Sequence, residues 1–223
     1  MLREIAHLIR HAPGTLALKR KLPQDELYAT LIARADTAGL ALKRGALASG
    51  LAGHVVEVGC GTGAMFRYYA GVDRVTAIEP DPAFAVHARK EAAQARVRID
   101  VLEASGDKIP LDDASADAAV IALVLCSVSS VDNVCRELAR VVRPGGELRL
   151  IEHVKSEHRI AGALMSALDP LWLKLNGQGC HMDRDPLPAL ERADFEVLRT
   201  EPFQIWSAGI PAFPMRLIYA RRW

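Results

Sequence analysis

Apolar residues recur every three or four positions between residues 24 and 50, and this period ends just before residue 54. The pattern predicts one or two helices, with stops at Gly39 and Gly50. Residues 54–59 (HVVEVG) then form an uninterrupted run of mainly β-branched side chains, which is typical of a strand buried on both faces of a parallel sheet. The change of period therefore predicts a helical N-terminal segment followed by a central strand.

Strand and helix patterns alternate along the rest of the chain. The predicted strands are residues 74–79, 96–103, 117–125, 146–154, 195–203 and 215–222, and the predicted helices are residues 64–70, 82–95, 131–142 and most of 156–193. We expect breaks at Asp169–Pro170 and Asn176–Gly177, a turn at residues 143–146, and a capping box formed by Ser129 and Asp132. This alternation predicts an α/β fold with a parallel sheet, helices on both faces and ligands at the carboxyl ends of the strands.

Three alternating glycines follow the first predicted strand directly. Gly59, Gly61 and Gly63, with Cys60 between the first two, let the backbone turn into a helix while approaching a ligand closely. The spacing is not G-x-G-x-x-G and no Walker lysine follows, so a dinucleotide dehydrogenase and a P-loop ATPase both fit poorly. The loop predicts a nucleotide-like ligand, and the alternative is a bare turn.

Two acidic positions match such a ligand. Glu79 ends the second predicted strand twenty residues after Gly59, where a carboxylate can accept hydrogen bonds from both ribose hydroxyls. After the third strand, the backbone N–H of Gly106 and the carboxylate of Asp107 are placed to bind an adenine edge, although Asp107 could equally be a surface turn residue. Tyr28 in the N-terminal helical segment either closes over the ligand or simply packs.

Composition and charge narrow the class of protein. With 223 residues, half of them apolar, the chain can build one buried core, so we predict one compact unit at residues 51–223 and a helical lid at residues 1–50. The 28 Lys and Arg balance 27 Asp and Glu, so no nucleic-acid partner is expected. The four cysteines have neither a C-x-x-C pair nor zinc spacing, which predicts reduced thiols and no metal site.

The first residues leave two interpretations open. Apolar side chains at positions 2, 5, 6, 8 and 9 recur at helical spacing beside basic residues, which suits either contact with a membrane surface or packing on the domain as part of the lid. Neither a signal peptide nor an apolar run of about 18 residues is visible, so we expect a cytoplasmic protein that does not span a membrane. The sequence indicates no oligomeric state.

Five segments, taken in order, carry a family resemblance: VVEVGCGTG, AIEPDP, ASGDKIPL, SADAAVIALVLCSV and LARVVRPGGELRLIEHV. Together they resemble the motifs of class I S-adenosylmethionine-dependent methyltransferases over about residues 50–155. The resemblance implies a Rossmann-like sheet of seven strands in the order 3-2-1-4-5-7-6, with the last strand antiparallel. It also implies S-adenosylmethionine as cofactor. The predicted cofactor-binding set is Glu57, Gly59, Cys60, Gly61, Gly63, Glu79, Pro80, Gly106, Asp107 and Leu123, with Tyr28 from the lid.

A narrower resemblance lies mostly in the second half of the chain. The segments LVLCSV, EHV, LDPLW, GC and ALERADF resemble the methyltransferase-like alkyl thiol S-methyltransferases and their bacterial relatives. This implies a small-molecule acceptor methylated at a thiol. The mammalian relatives carry a long apolar N-terminal anchor, whereas this sequence has only the short amphipathic segment.

Other functions stay open at this stage. One is N- or O-methylation of a small molecule or a phospholipid headgroup, and another is a regulator that binds the cofactor without catalysis. The lack of an N-P-P-[YF] or D-P-P-Y tetrad argues against methylation of exocyclic nitrogens. Arsenic methylation needs a set of acceptor cysteines and is disfavoured, because Cys60 lies in the glycine loop and Cys135 falls on a helix core face.

Methyl transfer from a sulfonium is an in-line displacement, so the protein mainly positions the acceptor and excludes water. His153, at the end of the fifth predicted strand, is the first candidate for a base that helps a thiol ionise; the alternative is a histidine that fixes the following loop. Asp169, His181 and Asp183 in the helical insert are secondary candidates. Cys126 and Ser127 are predicted to line the acceptor pocket, with apolar walls from Trp172, Leu173, Trp206 and Phe213 or, alternatively, with these four in the core.

Overall fold

A seven-stranded sheet organises the chain in the computed structural model, which describes residues 3, 7, 10, 11, 17–176, 179–208 and 210–223. The strands are β1 His54–Val58, β2 Arg74–Ile78, β3 Arg98–Leu102, β4 Ala116–Ala122, β5 Val142–His153, β6 Phe195–Gln204 and β7 Pro214–Arg222. Their order across the sheet is β3-β2-β1-β4-β5-β7-β6. All neighbouring pairs from β3 to β5 are parallel, and β7 runs antiparallel to both β5 and β6. The predicted order and the antiparallel last strand are confirmed.

Helices cover the sheet on both sides. They are α1 Gln24–Ala35, α2 Ala41–Ala48, α3 Pro82–Ala92, α4 Val131–Val141, α5 Arg159–Asn176 and α6 Leu187–Arg192. A short π-helical stretch, Asp36–Leu40, joins α1 to α2, and Gly39 within it has a φ of 118°. The predicted stop at Gly39 is therefore a kink between two helices, and α2 ends two residues before Gly50.

Each face of the sheet has its own apolar core because side chains alternate along a strand. Val55 of β1 packs in a cluster with Leu47 and Tyr69, whereas Val56 packs in a second cluster with Leu138. Because β1, β2, β4 and β5 run parallel, their carboxyl ends lie together along one edge of the sheet. Among the described residues, no helix is both long and apolar enough to cross a membrane. The apolar residues of the predicted membrane-contacting segment, at positions 2, 5, 6, 8 and 9, lie outside the described residues.

The helix predicted at residues 64–70 is wrong. The chain forms turns and a single 3₁₀ turn at Phe66–Tyr68, closed by the N–H of Tyr68 donating to the carbonyl of Met65 and the N–H of Tyr69 donating to the carbonyl of Phe66. Phe66 and Tyr69 are both fully buried in the same core cluster. A spacing of three residues places two side chains on one face of a 3₁₀ turn, so this packing favours the tighter structure.

The break predicted at Asp169–Pro170 is also wrong, because α5 continues through Pro170 to Asn176. A proline inside a helix removes one backbone hydrogen bond. Here the buried Asp169 carboxylate binds the segment that follows the helix, accepting from the backbone N–H of Met182 at 2.7 Å. This contact helps to hold the helix in place beside the proline. The predicted end at Asn176 agrees with the helix bound.

Two further local predictions need correction. Residues 143–146 belong to β5, where the pairing with β4 shifts register and Gly145 has a φ of 77°, so they form a bulge within the strand instead of a separate turn. The N-cap of α4 is Ser130, whose side chain accepts from the N–H of Asn133. Ser129 instead donates its hydroxyl to the Asp107 carboxylate, so the predicted capping box does not form.

Candidate active site

The glycine loop joins β1 to the 3₁₀ turn, and its three glycines have different roles. All three have positive φ. A Cβ on Gly59 would lie 2.4 Å from a methyl of Val124, and a Cβ on Gly63 would lie 2.8 Å from the ring of Phe66, so packing against protein requires both glycines. The three atoms nearest to a Cβ on Gly61 all belong to the Tyr28 side chain, the first of them at 3.3 Å. Gly61 is therefore the glycine of the loop that faces α1.

Glu79 follows β2 and ties this strand to the glycine loop. One carboxylate oxygen accepts from the N–H of Gly61 at 2.8 Å, and the other accepts from the N–H of Asp81 at 3.0 Å. Burial raises the pKa of Glu79 above its ordinary value. Pro80 lies exposed between the two acids, and Asp81 caps the first turn of α3. Each oxygen of Glu79 keeps a lone pair for another donor.

Tyr28 on α1 covers the glycine loop. Its ring packs edge-on against Phe84 of α3 with centroids 5.3 Å apart, and Asp25 binds His87 of α3 at 2.8 Å. Burial raises the pKa of Tyr28 to about 12, so the phenol is neutral at physiological pH. These contacts place α1 beside the glycine loop, and the role of this segment as a lid stays a prediction.

Glu57 and Cys60 lie on the protein side of the loop. The hydroxyl of Tyr69 donates to the Glu57 carboxylate at 2.8 Å, and burial raises the pKa of Glu57 to about 8. Cys60 is buried, and burial raises the pKa of its thiol well above the ordinary value. The hydrogen bond between Glu57 and Tyr69 thus joins the two ends of the glycine loop. The sequence analysis placed Glu57 in the cofactor-binding set and did not distinguish this structural role from direct contact with the cofactor.

Asp107 lies near the carboxyl end of β3. One of its carboxylate oxygens accepts from the hydroxyls of Ser105 and Ser129, each at 3.2 Å. The other oxygen is buried and has no hydrogen-bond partner within the described chain. Gly106 is required by packing, since a Cβ there would lie 2.7 Å from a methyl of Val58. An unpaired buried acceptor of this kind is available to a ligand's N–H.

The turn after β4 is held by a residue that the sequence analysis missed. Leu123 has a φ of 67°, which is strained for a side chain other than glycine. One oxygen of the buried Glu152 accepts from the N–H groups of Val124 and Leu125, at 2.8 and 2.9 Å. Burial raises the pKa of Glu152. The signal in the sequence was a glutamate directly after the apolar pair Leu150–Ile151 and beside His153 at the end of the strand.

Three motif residues meet at the carboxyl ends of β4 and β5 to form what we call the sulfur–imidazole cluster: Cys126, His153 and Cys180. His153 Nε2 lies 2.8 Å from the Cys180 sulfur, and the two sulfurs are 3.7 Å apart. The hydrogen bond with Cys180 and burial raise the pKa of Cys126 well above its ordinary value. His153 Nδ1 is buried without a partner among the described residues. The cysteine spacing along the chain, from which we predicted no metal site, gave no sign that these three side chains lie close together.

Aromatic side chains border this cluster on one side. Phe213 lies 5.3 Å from the ring of His153, and Trp172 meets Phe213 edge-on at 5.4 Å. The indole N–H of Trp172 is buried with no partner among the residues described. Trp206 is instead 43% exposed and packs against His7. Of the four predicted walls, Phe213 therefore lies beside His153, and Trp172 packs against Phe213.

The helical insert contributes a second polar group next to the cluster. Asp169 accepts from His181 Nδ1 at 2.7 Å, and the N–H of His181 donates to the carbonyl of Cys126 at 2.8 Å. Asp183 lies close enough for one ligand atom from each of Asp169, His181 and Asp183 to fall within 4.8 Å of the others. The structure thus brings all the predicted catalytic residues to one end of the sheet.

Comparisons with known proteins agree with this geometry. Residues 56–150 match a family model described as a methyltransferase domain. The human thiol S-methyltransferase TMT1A is 39% identical over 154 residues, which cover 67% of this chain and 63% of the human protein. The match therefore spans less than two thirds of that relative's length.

Solved structures share the fold. A structure of an S-adenosylmethionine-dependent methyltransferase from Mesorhizobium loti has a TM-score of 0.63 at 22% identity and covers 83% of this chain and 98% of its own. The geranyl diphosphate C-methyltransferase of Streptomyces coelicolor, solved with S-adenosyl-L-homocysteine, has a TM-score of 0.61 at 15% identity and covers 82% and 77%. At these identities the likeness shows the fold alone.

Proposed function

Because the chain carries a methyltransferase domain at residues 56–150 on a class I methyltransferase fold, we propose that it is an S-adenosylmethionine-dependent methyltransferase acting on a small-molecule thiol. The observation that carries the proposal is the position of two half-sites on one sheet edge. The glycine loop with Glu79 lies at the ends of β1 and β2, and the sulfur–imidazole cluster lies at the ends of β4 and β5. Parallel α/β sheets bind ligands at this edge.

The unsatisfied groups of the first half-site fit an adenosyl ligand. Gly61 gives the backbone room, Glu79 has acceptor capacity for two ribose hydroxyls, and the unpaired oxygen of Asp107 suits an adenine amino group. Tyr28 then covers the cofactor from α1. When bound, S-adenosylmethionine supplies a methyl group on a sulfonium that is already an activated leaving group.

The second half-site supports a thiol acceptor. The human relative TMT1A is named a thiol S-methyltransferase, and the segments that carry the resemblance to such enzymes converge here as LVLCSV, EHV, LDPLW and GC. In our proposal the acceptor sulfur binds between Cys126 and His153, with Phe213 and Trp172 excluding water on one side. The residues act mainly by orienting the acceptor in line with the methyl group.

The predicted catalytic residues take separate roles in this proposal. His153 contacts the acceptor, since its ring lies at the end of β5 beside the two sulfurs. Asp169 is a positioning residue that holds His181 and, through Met182, the loop behind Cys180. Asp183 borders the same group without a role in methyl transfer. His153→Gln should lower kcat while leaving the Kd of the cofactor unchanged.

An acceptor panel tests the proposed function. The purified 223-residue chain is incubated with methyl-labelled S-adenosylmethionine and an alkyl thiol, amine and alcohol of matched size, and the products are identified by mass spectrometry. We expect the thioether as the dominant product and its loss in Glu79→Ala. Methylated amine or alcohol as the main product would favour the N- or O-methylation alternative, including a phospholipid headgroup. Tight cofactor binding with no product would favour the regulator.

A further inference from the structure

The sulfur–imidazole cluster has a donor set that neither the fold nor the cofactor site explains. Its three ligand atoms come from segments far apart in sequence, and they all lie within 4.8 Å of one another. We propose that Cys126, His153 and Cys180 bind one thiophilic divalent cation of the zinc type, with an open fourth position for the acceptor thiol. The role of the open position rests on the proposed function, whereas the cation site itself does not.

The donor types and the sulfur separation fit this cation. Zinc binds cysteine sulfur and histidine nitrogen, and its catalytic sites keep three protein ligands and one exchangeable position. With Zn–S bonds of about 2.3 Å, two sulfurs on one tetrahedral ion lie about 3.8 Å apart. The observed separation of the Cys126 and Cys180 sulfurs is 3.7 Å. A disulfide, in contrast, needs sulfurs about 2.05 Å apart.

The imidazole is closer to Cys180 than a bound ion would permit. Two ligands on one tetrahedral zinc, a sulfur and a nitrogen, lie about 3.6 Å apart, and His153 Nε2 is 2.8 Å from the Cys180 sulfur. Binding therefore requires the ring or the Cys180 loop to move by about 0.8 Å. A narrow void lined by Cys126, Glu152 and His153, among others, adjoins the cluster.

Hydrogen bonds hold the backbone at both cysteines of the cluster, and a buried carboxylate lies nearby. The side chain of Asn176 donates to the carbonyl of Cys180, and the N–H of His181 donates to the carbonyl of Cys126, both at 2.8 Å. The second oxygen of the buried Glu152 has no partner in the described part of the chain, and it lines the same void. A cation in the cluster would place a positive charge near this unpaired oxygen.

The cation would prepare the acceptor for transfer. On binding, the acceptor's S–H bond breaks, its proton passes to solvent, and a sulfur–metal bond forms, because a coordinated thiol is deprotonated. A lone pair of that sulfur then forms the new bond to the methyl carbon, while the bond from methyl to the sulfonium breaks and its electron pair stays on the departing sulfur. The product thioether carries no charge and is released from the cation. No oxidant or reductant is consumed.

Metal titration of the 223-residue chain tests the site directly. The reduced, chelator-treated chain is titrated with Co²⁺, whose absorption reports thiolate ligation, and bound Co²⁺ is then displaced by Zn²⁺ in the presence of a competing chelator. We expect one equivalent bound, and an affinity at least roughly tenfold lower in Cys126→Ser, Cys180→Ser and His153→Gln, since even residues that only support metal ligands contribute about that factor. Cys135→Ala, a buried cysteine outside the cluster, should bind like wild type.

The outcomes separate this inference from the proposed function. No thiolate-to-cobalt absorption, equal affinity in wild type and in the folded variants, or a Cys126–Cys180 disulfide in the freshly purified protein would overturn the cation site. Circular dichroism checks folding, and the two cysteine variants and His153→Gln serve as independent tests should one of them fail to fold. Full thiol methylation after chelation would refute the role of the cation in methyl transfer while leaving the proposed function intact. Cation binding without any methyl transfer would refute the proposed function while leaving the cation site intact.

Discussion

Replacing Glu79 by alanine should weaken cofactor binding at least tenfold. Both oxygens of its carboxylate already accept one backbone N–H, from Gly61 and from Asp81. A carboxylate offers about four lone-pair sites, so two are left for the ribose hydroxyls. The variant therefore loses the two proposed ligand contacts and the link between β2 and the glycine loop together.

The magnitude follows from the kind of bond that is lost. Hydrogen bonds to a charged group contribute about 1.5–3 kcal/mol each. Rehydration of the freed backbone groups and relaxation of the loop offset part of the loss of two such bonds. A net loss of about 1.4 kcal/mol, or tenfold in Kd, is therefore the lower bound that we expect. Glu79→Gln keeps one acceptor oxygen and should lie between wild type and alanine.

Isothermal titration with S-adenosyl-L-homocysteine measures this loss without turnover. Glu201→Ala serves as the matched control, because Glu201 is a partly exposed acid on β6. This strand is last in the strand order of the sheet, whereas β3 and β2 are the first two. The control should bind like wild type. A Kd for folded Glu79→Ala within twofold of wild type would refute the placement of the ribose.

Three further predictions concern the loop, its support and the adenine end. Gly59→Ala places a Cβ 2.4 Å from Val124 and should lower the free energy of unfolding by about 2–4 kcal/mol. Gly50 has a similar φ but nothing within 4 Å of an added Cβ, so Gly50→Ala should lower the free energy of unfolding by only about 1–2 kcal/mol. Thermal denaturation of the two variants and wild type measures the difference. Burial raises the pKa of Glu57 to about 8, so between about pH 4.5 and 8 the folded chain keeps a proton that the unfolded chain releases. The free energy of unfolding should therefore fall as the pH rises through this range. Glu57→Gln should remove on the order of a few kcal/mol of that fall, as measured by denaturant titrations at several pH values. Asp107→Ala should weaken S-adenosyl-L-homocysteine binding about tenfold in the same calorimetric assay, and an unchanged Kd would exclude the adenine contact.

The strands were predictable because their signals are local, each being a short run rich in apolar residues next to a turn. Their order across the sheet was predictable only through the resemblance carried by the ordered motifs over residues 50–155. Local patterns were weaker guides where packing decided the outcome. At residues 64–70 an apolar helix-like pattern became a 3₁₀ turn, since Phe66 and Tyr69 pack in the same core.

The site was predictable in its parts more than in its contacts. The glycine loop and Glu79 are both recognisable from spacing, and their hydrogen bond joins neighbouring strands. The pairing of Cys180 with His153 and Cys126 was not, because it depends on the length of α5 and on how the following loop folds back over β4. The sequence named Asp169 and His181 as separate secondary candidates, and only the structure shows that they bind each other.

A crystal structure of the protein with S-adenosyl-L-homocysteine and an alkyl thiol would test the central claim most directly, because that claim joins the two half-sites into one reaction centre. We predict the ribose hydroxyls at hydrogen-bonding distance, about 3 Å, from the Glu79 carboxylate. We also predict the acceptor sulfur at the sulfur–imidazole cluster, in line with the sulfur of the cofactor. A ribose bound away from Glu79, or a thiol bound on a face that the cofactor sulfur does not reach, would contradict the account.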